Sequence, residues 1–224
     1  PGKQPEGENP TPAGTEAPAK QGDSENKDPG KQPEAESTPA LQEGGTAGAA
    51  ANEAVEIAIK KDLETDEDKG YTVEETKVPG ADANGYGNKE KTVQTLTITQ
   101  AGSYTIKQGE EAGTWRIVVA AASDTVELTL SNLRLDLSRT GYEKAYNSVT
   151  QKKAAGVPAL EITGDCKTVI TLEGSNTLYG GVYRAGLQNG THAVTIKGEG
   201  SLETKGGSLA AGIGGSSESD GSNI

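Results

Sequence analysis

Short apolar-Thr-apolar triplets recur along the chain and alternate in the two-residue period of a β-strand. The clearest copies are VITLEGSNTLYGG at 169–181 and AVTIKGEGSLETKGG at 193–207, which superpose at an offset of 24 positions. This offset pairs Ile170 with Val194, Thr171 with Thr195, Leu172 with Ile196, Gly174 with Gly198 and Leu178 with Leu202. Looser copies are LTITQAGSYTI, with Leu96, Thr97, Ile98 and Ile106, and LTLSN, with Leu128, Thr129 and Leu130.

The repetition predicts an all-β chain folded as a β-solenoid, in which successive coils stack. Equivalent aliphatic residues should form inward ladders, and Thr97, Thr129, Thr171 and Thr195 should form an outward column. We favour pairing of these threonines on a pleated surface over a ligand-binding hydroxyl face. Spacings of up to 42 positions between copies are accommodated if residues 137–156 and 215–222 leave the stack as polar excursions.

The chain divides into three predicted regions. Residues 1–50 hold eight of the ten prolines and one large aliphatic residue, Leu41, which indicates a disordered Pro-rich linker or spacer. Residues 51–93 are predicted to form N-terminal strands or a cap, with a strand at 55–59, an acidic turn at 62–68 and a partner strand at 72–78. Residues 94–224 are the solenoid, which we expect to be incomplete, with further coils or a cap beyond Ile224.

Composition and charge limit both the size of the core and the classes of partner that the chain can bind. Hydrophobic residues make up 32% of the chain, Phe and Met are absent and Gly occurs 31 times, so the predicted core is thin. A formal net charge of -12 argues against nucleic acid, and the absence of a long apolar run argues against membrane insertion. Cys166 is the only cysteine, so no disulfide can form within the chain.

Catalytic motifs are not evident, and we expect no enzyme activity. His192 is the single histidine and lies in a turn-rich segment. Paired carboxylates for glycoside hydrolysis are not recognisable, and nothing local marks Arg116, Arg184 or a lysine as the base of a lyase. Residues 82–93 lack oxygen ligands at two positions of a calcium loop, and residues 211–217 lack the third glycine of a dinucleotide fingerprint.

Tyrosines near glycine corners are the candidate binding residues. Exposed tyrosines can stack on sugar rings while hydroxyl and ammonium groups form hydrogen bonds. The alternative is that these side chains cover loop and coil surfaces. The candidates are Tyr142, Lys144, Tyr146 and Lys152 in the large excursion, and Tyr179 and Tyr183 beside the next corner.

Four segments carry a resemblance to a known family: SYTI at 103–106, VELTLSNL at 126–133, PALEI at 158–162 and VITLEGSNTL at 169–178. Over residues 94–224 the chain resembles the bacterial carbohydrate-binding domain family with a polysaccharide-lyase-like right-handed parallel β-helix. The resemblance implies a secreted or cell-wall-associated protein that binds plant or cell-wall polysaccharide, with Ca²⁺ possible. Asp136, Asp165 and Glu173 are nearby candidate calcium ligands.

The leading hypothesis is therefore a noncatalytic extracellular module that binds polysaccharide through solenoid faces and the 137–156 loop. Two alternatives stay open. One is a structural adhesin or stalk that binds no glycan, and the other is a polysaccharide lyase whose active site lies in coils outside this sequence.

Overall fold

β-Strands dominate the part of the chain that the structure describes, in agreement with the all-β prediction. The computed structural model describes residues 53–82, 85–145 and 153–216, so the predicted linker, Tyr146, Lys152 and the segment after Ser216 lie outside the described residues. Fifteen strands and one 3₁₀ turn at Glu67–Lys69 form the regular structure of the described part. The strands are β1 Val55–Ile59, β2 Tyr71–Ala81, β3 Tyr86–Ile98, β4 Gly102–Gln108, β5 Trp115–Val119, β6 Thr125–Ser131, β7 Arg134–Asp136, β8 Lys144–Ala145, β9 Leu160–Ile162, β10 Lys167–Glu173, β11 Ser175–Tyr179, β12 Leu187–Gln188, β13 Val194–Gly198, β14 Ser201–Lys205 and β15 Ile213–Gly214.

The strands form three sheets, and almost every neighbouring pair is parallel. Sheet 1 has the order β1-β4-β6-β10-β13, sheet 2 the order β7-β11-β14, and sheet 3 the order β2-β3-β5-β9-β12-β15, with β8 beside β3. Among the described strands, β2 and β3 form the one antiparallel pair, and the remaining antiparallel contacts are isolated bridges. From β6 onward the chain passes through sheets 1, 2 and 3 in the same order three times, and each pass lies beside the previous one.

Aliphatic side chains of successive passes stack into continuous columns in the core, as predicted for the stretch around Leu128 and Ile170. In sheet 1, Tyr104, Leu128, Ile170 and Ile196 occupy one register position. A matching column in sheet 3 contains Leu96, Ile117, Leu160, Leu187 and Ile213. Burial of one such side chain contributes about 1.5–3 kcal/mol, so these columns are the main source of stability.

The predicted offset of 24 between the last two passes is wrong, because the structure places them 26 residues apart. Ile170 lies beside Ile196 rather than Val194, and Leu172 lies beside Gly198 rather than Ile196. Leu178 pairs with Thr204, while Leu202 pairs with Asn176. The predicted pairs of Thr171 with Thr195 and of Gly174 with Gly198 fail for the same reason.

The corners explain this register. The Glu-Gly-Ser turn at 173–175 is repeated at 199–201, and Ser201 N donates to Gly174 O at 2.8 Å. A slip of two residues keeps the same side chains inward, so alternation alone cannot distinguish the two registers.

The upstream copy LTITQAGSYTI is split between two sheets, which the sequence did not predict. Leu96–Ile98 belongs to β3 in sheet 3, whereas Ile106 belongs to β4 in sheet 1. The outward column of sheet 1 is therefore Thr105, Thr129, Thr171 and Lys197, and it lacks Thr97 and Thr195.

The N-terminal elements are strands as predicted, but one strand pair differs from the prediction. β1 is the predicted strand at 55–59, and residues 62–68 contain turn and 3₁₀ structure. The strand predicted at 72–78 is part of β2, but its partner is β3 rather than β1. β3 runs through positions 93 and 94, the proposed boundary between the cap and the solenoid. Within the described ranges, no helix has the length and apolar character needed to cross a membrane.

Candidate functional site

Sheet 2 brings two of the predicted residues together. Asp136 ends β7, Tyr179 ends β11 and Lys205 ends β14, and the three occupy one register position across the sheet. Adjacent strands in a sheet lie about 4.8 Å apart, so the phenol ring is flanked by a carboxylate and an ammonium group. The predicted site contained Tyr179 but not Lys205.

The outward position of these residues follows from strand alternation. Leu135 and Leu178, which precede Asp136 and Tyr179, are inward and almost fully buried. Side chains on either side of them therefore point to solvent. We call this outward surface the sheet 2 face. Its members are Arg134, Thr177 and Glu203 in one row and Asp136, Tyr179 and Lys205 in the next.

Asp136 is held ionised by its neighbours. Partial burial raises the pKa of its carboxyl group, but hydrogen bonds from Ser138 and the positive charge of Arg134 outweigh that effect and lower the pKa overall. Ser138 Oγ donates at 2.6 Å and Ser138 N donates at 3.1 Å to Asp136 Oδ1. Arg134 Nη2 lies 3.5 Å from Asp136 Oδ2. The carboxylate is thus a fixed hydrogen-bond acceptor on the face.

Tyr179 is held protonated. Its hydroxyl donates to Glu203 Oε1 on the adjacent strand β14. This hydrogen bond raises the pKa of Tyr179, and a small burial effect and the negative charge of Glu203 act in the same direction. The ring is therefore fixed in orientation by a bond at its far end, and the residue is half-buried, so part of the ring remains accessible.

A cleft of about 440 Å³ adjoins the face at Asp136. Its lining includes Ser138, Arg139 and Lys91, which belongs to β3. Arg139 Nη1 donates to Asp82 O at 3.2 Å. The cleft thus places two cationic side chains beside the face of an otherwise acidic protein.

Tyr142 and Lys144 lie at a different place. The Tyr142 ring covers Gly87 of β3 so closely that a Cβ at Gly87 would lie about 1.9 Å from the ring. Tyr142 lines a pocket of about 270 Å³ with Lys77, Pro79 and Lys89. Lys144 pairs with Tyr86 through β8. The structure does not bring these two residues onto the sheet 2 face.

Tyr183 lies at the corner that follows β11. Its φ is 62°, in the left-handed region. Lys153 Nζ lies 5.9 Å from the centroid of the Tyr183 ring. The sequence prediction named the neighbouring Lys152, and not Lys153, as a binding residue.

The candidate calcium ligands do not form a ligand set. Over the described ranges, no group of three or more His, Cys, Asp or Glu side chains is placed to hold a metal ion. Asp165 is exposed in a turn, and Glu173 is exposed at the end of β10. Glu173 lines an open groove of about 630 Å³ with Glu199 and several glycines, apart from Asp136.

The arginines considered as lyase bases have structural partners. Arg116 Nη2 forms an ion pair with Glu161 Oε2 on the neighbouring strand of sheet 3. Gln188 Nε2 donates to Glu161 Oε1 at 3.0 Å, which extends the contact to a third strand. Arg184 Nε donates to Gly156 O at 3.4 Å. These contacts favour a structural role for both arginines.

The remaining members of the site were not apparent from the sequence. Lys205 and Glu203 would have been found if the two passes had been aligned by the repeated Glu-Gly-Ser turn, since that alignment places Tyr179 beside Lys205. Comparisons of the chain with protein-family models, with curated proteins and with solved structures found no match. The resemblance to the carbohydrate-binding family stays a prediction.

Proposed function

We propose that this chain is a noncatalytic module that binds polysaccharide through the sheet 2 face. The observation that carries the proposal is the row of Asp136, Tyr179 and Lys205, in which an oriented aromatic ring lies between an acceptor and a donor. A pyranose ring has an apolar C–H face and a rim of hydroxyl groups. A tyrosine ring fits the first, and flanking charged side chains fit the second.

The electrostatics of the row favour binding over catalysis. A general acid must carry a proton near neutral pH, but the pKa of Asp136 is lowered and its carboxyl group is ionised there. A tyrosine nucleophile is favoured by a lowered pKa, but that of Tyr179 is raised. Asp136 is therefore not in the state of a general acid, Tyr179 is not an activated nucleophile, and both groups can form hydrogen bonds with the hydroxyl groups of a ligand.

The scaffold for this surface is, in our proposal, a right-handed parallel β-helix. The repeated order of sheets 1, 2 and 3 and the parallel pairing of successive passes support this description. Right-handed crossovers predominate strongly among parallel strands, which supports the handedness. Such a scaffold would repeat outward positions at the strand spacing and so present matched side chains to a repetitive ligand.

The nature of the polysaccharide is proposed from the resemblance alone. A plant or cell-wall glycan met outside the cell is the expected partner, and nucleic acid is not expected for a chain of net charge -12. We assign no role to Ca²⁺ in binding at the sheet 2 face, so a chelator should leave the affinity unchanged.

Affinity measurements with the full 224-residue chain test this proposal. Pull-down on cellulose, pectin and mucin glycans should show binding to at least one of them. Tyr179→Ala should weaken that binding about tenfold, as truncation of an aromatic anchor does. Tyr179→Phe retains the ring but loses the hydroxyl contact to Glu203, so it should weaken binding less.

Tyr86→Ala is the matched control, because Tyr86 is 40% exposed but lies on β3. It should leave the affinity unchanged. Equal losses for Tyr86→Ala and Tyr179→Ala would contradict the assignment of the sheet 2 face.

A stalk that binds no glycan is the second candidate, and the regular stacking of parallel strands favours it. An intact far-UV β signal without binding to any of the glycans would support the stalk. The lyase alternative predicts release of unsaturated uronates from pectin, which we do not expect from this chain.

A further inference from the structure

Two corners after the sheet 2 face share an unusual conformation. Residues 180–187, GGVYRAGL, and 206–213, GGSLAAGI, occupy equivalent positions in the last two passes. Tyr183 has a φ of 62° and Leu209 a φ of 58°, so the same position is left-handed in both copies. The two large side chains therefore occur at the same point of consecutive corners.

This conformation is unfavourable for these residue types. The left-handed region brings Cβ close to the carbonyl oxygen, and glycine, or less readily Asn or Asp, is the residue that adopts it. Of the described residues, the other non-glycine residues with positive φ are Glu111, Asp124 and Asn132. Asp124 and Asn132 are of the types that adopt the left-handed region more readily, whereas Tyr and Leu are not.

Burial does not compensate for the strain at Leu209, and it compensates only in part at Tyr183. Leu209 is 80% exposed, so its side chain gains little from the core. Tyr183 is half-buried, and the contact recorded for its ring is with Lys153 at the surface. Glycine already occupies neighbouring corner positions in both copies, so the fold itself would accept glycine here. The strained and exposed side chain of Leu209 points to a role in contact with another molecule, and Tyr183 occupies the equivalent position of the neighbouring corner.

The two corners adjoin the sheet 2 face. Tyr183 follows Tyr179 by four positions, and Leu209 follows Lys205 by four. Backbone hydrogen bonds join the corners, because Gly207 N donates to Arg184 O at 2.9 Å and Gly180 N donates to Lys205 O at 2.8 Å. Tyr183 and Leu209 thus lie on adjacent corners at the edge where the row of Asp136, Tyr179 and Lys205 ends.

We propose that Tyr183 and Leu209 form a second subsite for the glycan bound at the sheet 2 face, where they contact the apolar face of a further sugar ring. This inference rests on the proposed function. The single occupant is the same polysaccharide strand, since the corner surface is continuous with the face. Lys153 Nζ lies close to the Tyr183 ring and would donate a hydrogen bond to a hydroxyl group of the bound sugar.

Glycine variants separate this role from a role in folding. In the full chain, Leu209→Gly removes strain and little buried surface, so it should leave Tm unchanged or raise it by about 1–3 °C. Tyr183→Gly relieves the same strain but also removes a half-buried ring, so it should lower Tm by no more than about 3 °C. Each should weaken binding to the retained glycan about threefold to fivefold, and the double variant should weaken it about tenfold or more. The measurements are thermal unfolding by circular dichroism and titration with soluble oligosaccharides.

Glu111→Gly is the matched control, since Glu111 has a φ of 49° and lies in an exposed turn between β4 and β5. Glu111→Gly should leave Tm unchanged or raise it slightly, as expected for Leu209→Gly, and it should leave the affinity for the glycan unaltered. A fall in Tm of several degrees in either glycine variant at 183 or 209 would show that the residue serves the fold, and would overturn the inference.

The remaining outcomes separate the two proposals. If Tyr179→Ala weakens binding but the double glycine variant binds like the parent chain, the second subsite is wrong and the sheet 2 face stands. If the parent chain binds no glycan, both proposals fail. If the glycine variants weaken binding while Tyr179→Ala does not, the corner is the site and the face is wrong.

Discussion

The turn of chain that follows Asp136 lowers the pKa of its carboxyl group. The residue ends β7, and the chain then bends so that Ser138 directs both its hydroxyl and its backbone N–H to Asp136 Oδ1. Charge-assisted hydrogen bonds of this kind stabilise the ionised form. They outweigh partial burial, and the pKa of the carboxyl group falls below its ordinary value of 3.8.

Replacement of Asp136 by Asn should therefore destabilise the protein in a pH-dependent way. A group with a lowered folded-state pKa stabilises the fold above its unfolded pKa, and this contribution disappears as the pH falls through the folded-state value. The parent chain should exceed Asp136→Asn in Tm by about 1–3 °C at pH 7, because the group is partly exposed. The difference should shrink as the pH falls below the ordinary carboxyl pKa of 3.8, and it should vanish below the folded-state pKa. A Tm difference that is constant between pH 3 and pH 7 would contradict ionisation as its cause.

Tyr179 gives a second test at the residue scale. The hydrogen bond to Glu203 raises the pKa of the phenol above its ordinary value of 10.0. Glu203→Gln removes the negative charge, so the Tyr179 pKa should fall back toward 10.0. Ultraviolet titration of tyrosinate, taken as the difference from a Tyr179→Phe variant, measures this pKa. The same value in the parent chain and in Glu203→Gln would mean that the two side chains are not hydrogen-bonded in solution.

At the scale of single elements, the sequence predicted which residues form strands better than it predicted their partners. Strand alternation identified β1, β6 and β10 correctly, because each has aliphatic residues on one face. The register between β10 and β13 was missed by two residues, since both registers bury the same face. Hydrogen bonds at the repeated Glu-Gly-Ser corner determine it, and these are not visible in a hydrophobic pattern.

A disulfide test distinguishes the two registers. In a Cys166→Ser background, Thr171→Cys with Lys197→Cys places both thiols on neighbouring strands in the observed register. Cα atoms about 4.8 Å apart fall within the range that a disulfide spans, so this pair should oxidise readily. Thr171→Cys with Thr195→Cys is the matched alternative, with a diagonal separation of about 7–8 Å. Mass spectrometry of the oxidised variants should show a bridge in the first pair only, and the reverse result would restore the offset of 24.

The candidate site was less predictable than the strands because it combines distant segments. Tyr179 and Asp136 were named separately, but their contact depends on the pairing of β11 with β7 across 43 positions of sequence. Lys91 enters the neighbouring cleft only because the antiparallel hairpin of β2 and β3 lies beside the corner after β7. No local pattern in the sequence specifies that approach.

Over the whole described unit, the two ends of the stack are buried unequally. At the β1 end, Ile57 and Ile59 are almost completely buried, and Leu63 packs against the core there. In the last pass, Ile196, Leu202 and Ile213 contribute to the interior from one sheet each, and all three are only partly buried. Stacked repeats derive their stability from contacts with neighbours on both sides, so the last pass should be the least stable part of the described stack.

Truncation of one inward residue in the middle of the stack and one in the last pass tests this difference in stability. Leu128 is 0% exposed and has Tyr104 on one side and Ile170 on the other, so Leu128→Ala should lower the free energy of unfolding by about 2–5 kcal/mol. Among the described residues, Ile196 has one strand neighbour in its column, Ile170, and it is only half-buried. Ile196→Ala should therefore cost about half as much or less. Urea unfolding followed by far-UV circular dichroism gives both values. Equal losses for the two variants would mean that β13 has packing partners on its outer side in solution, and the stack would then continue past the third pass.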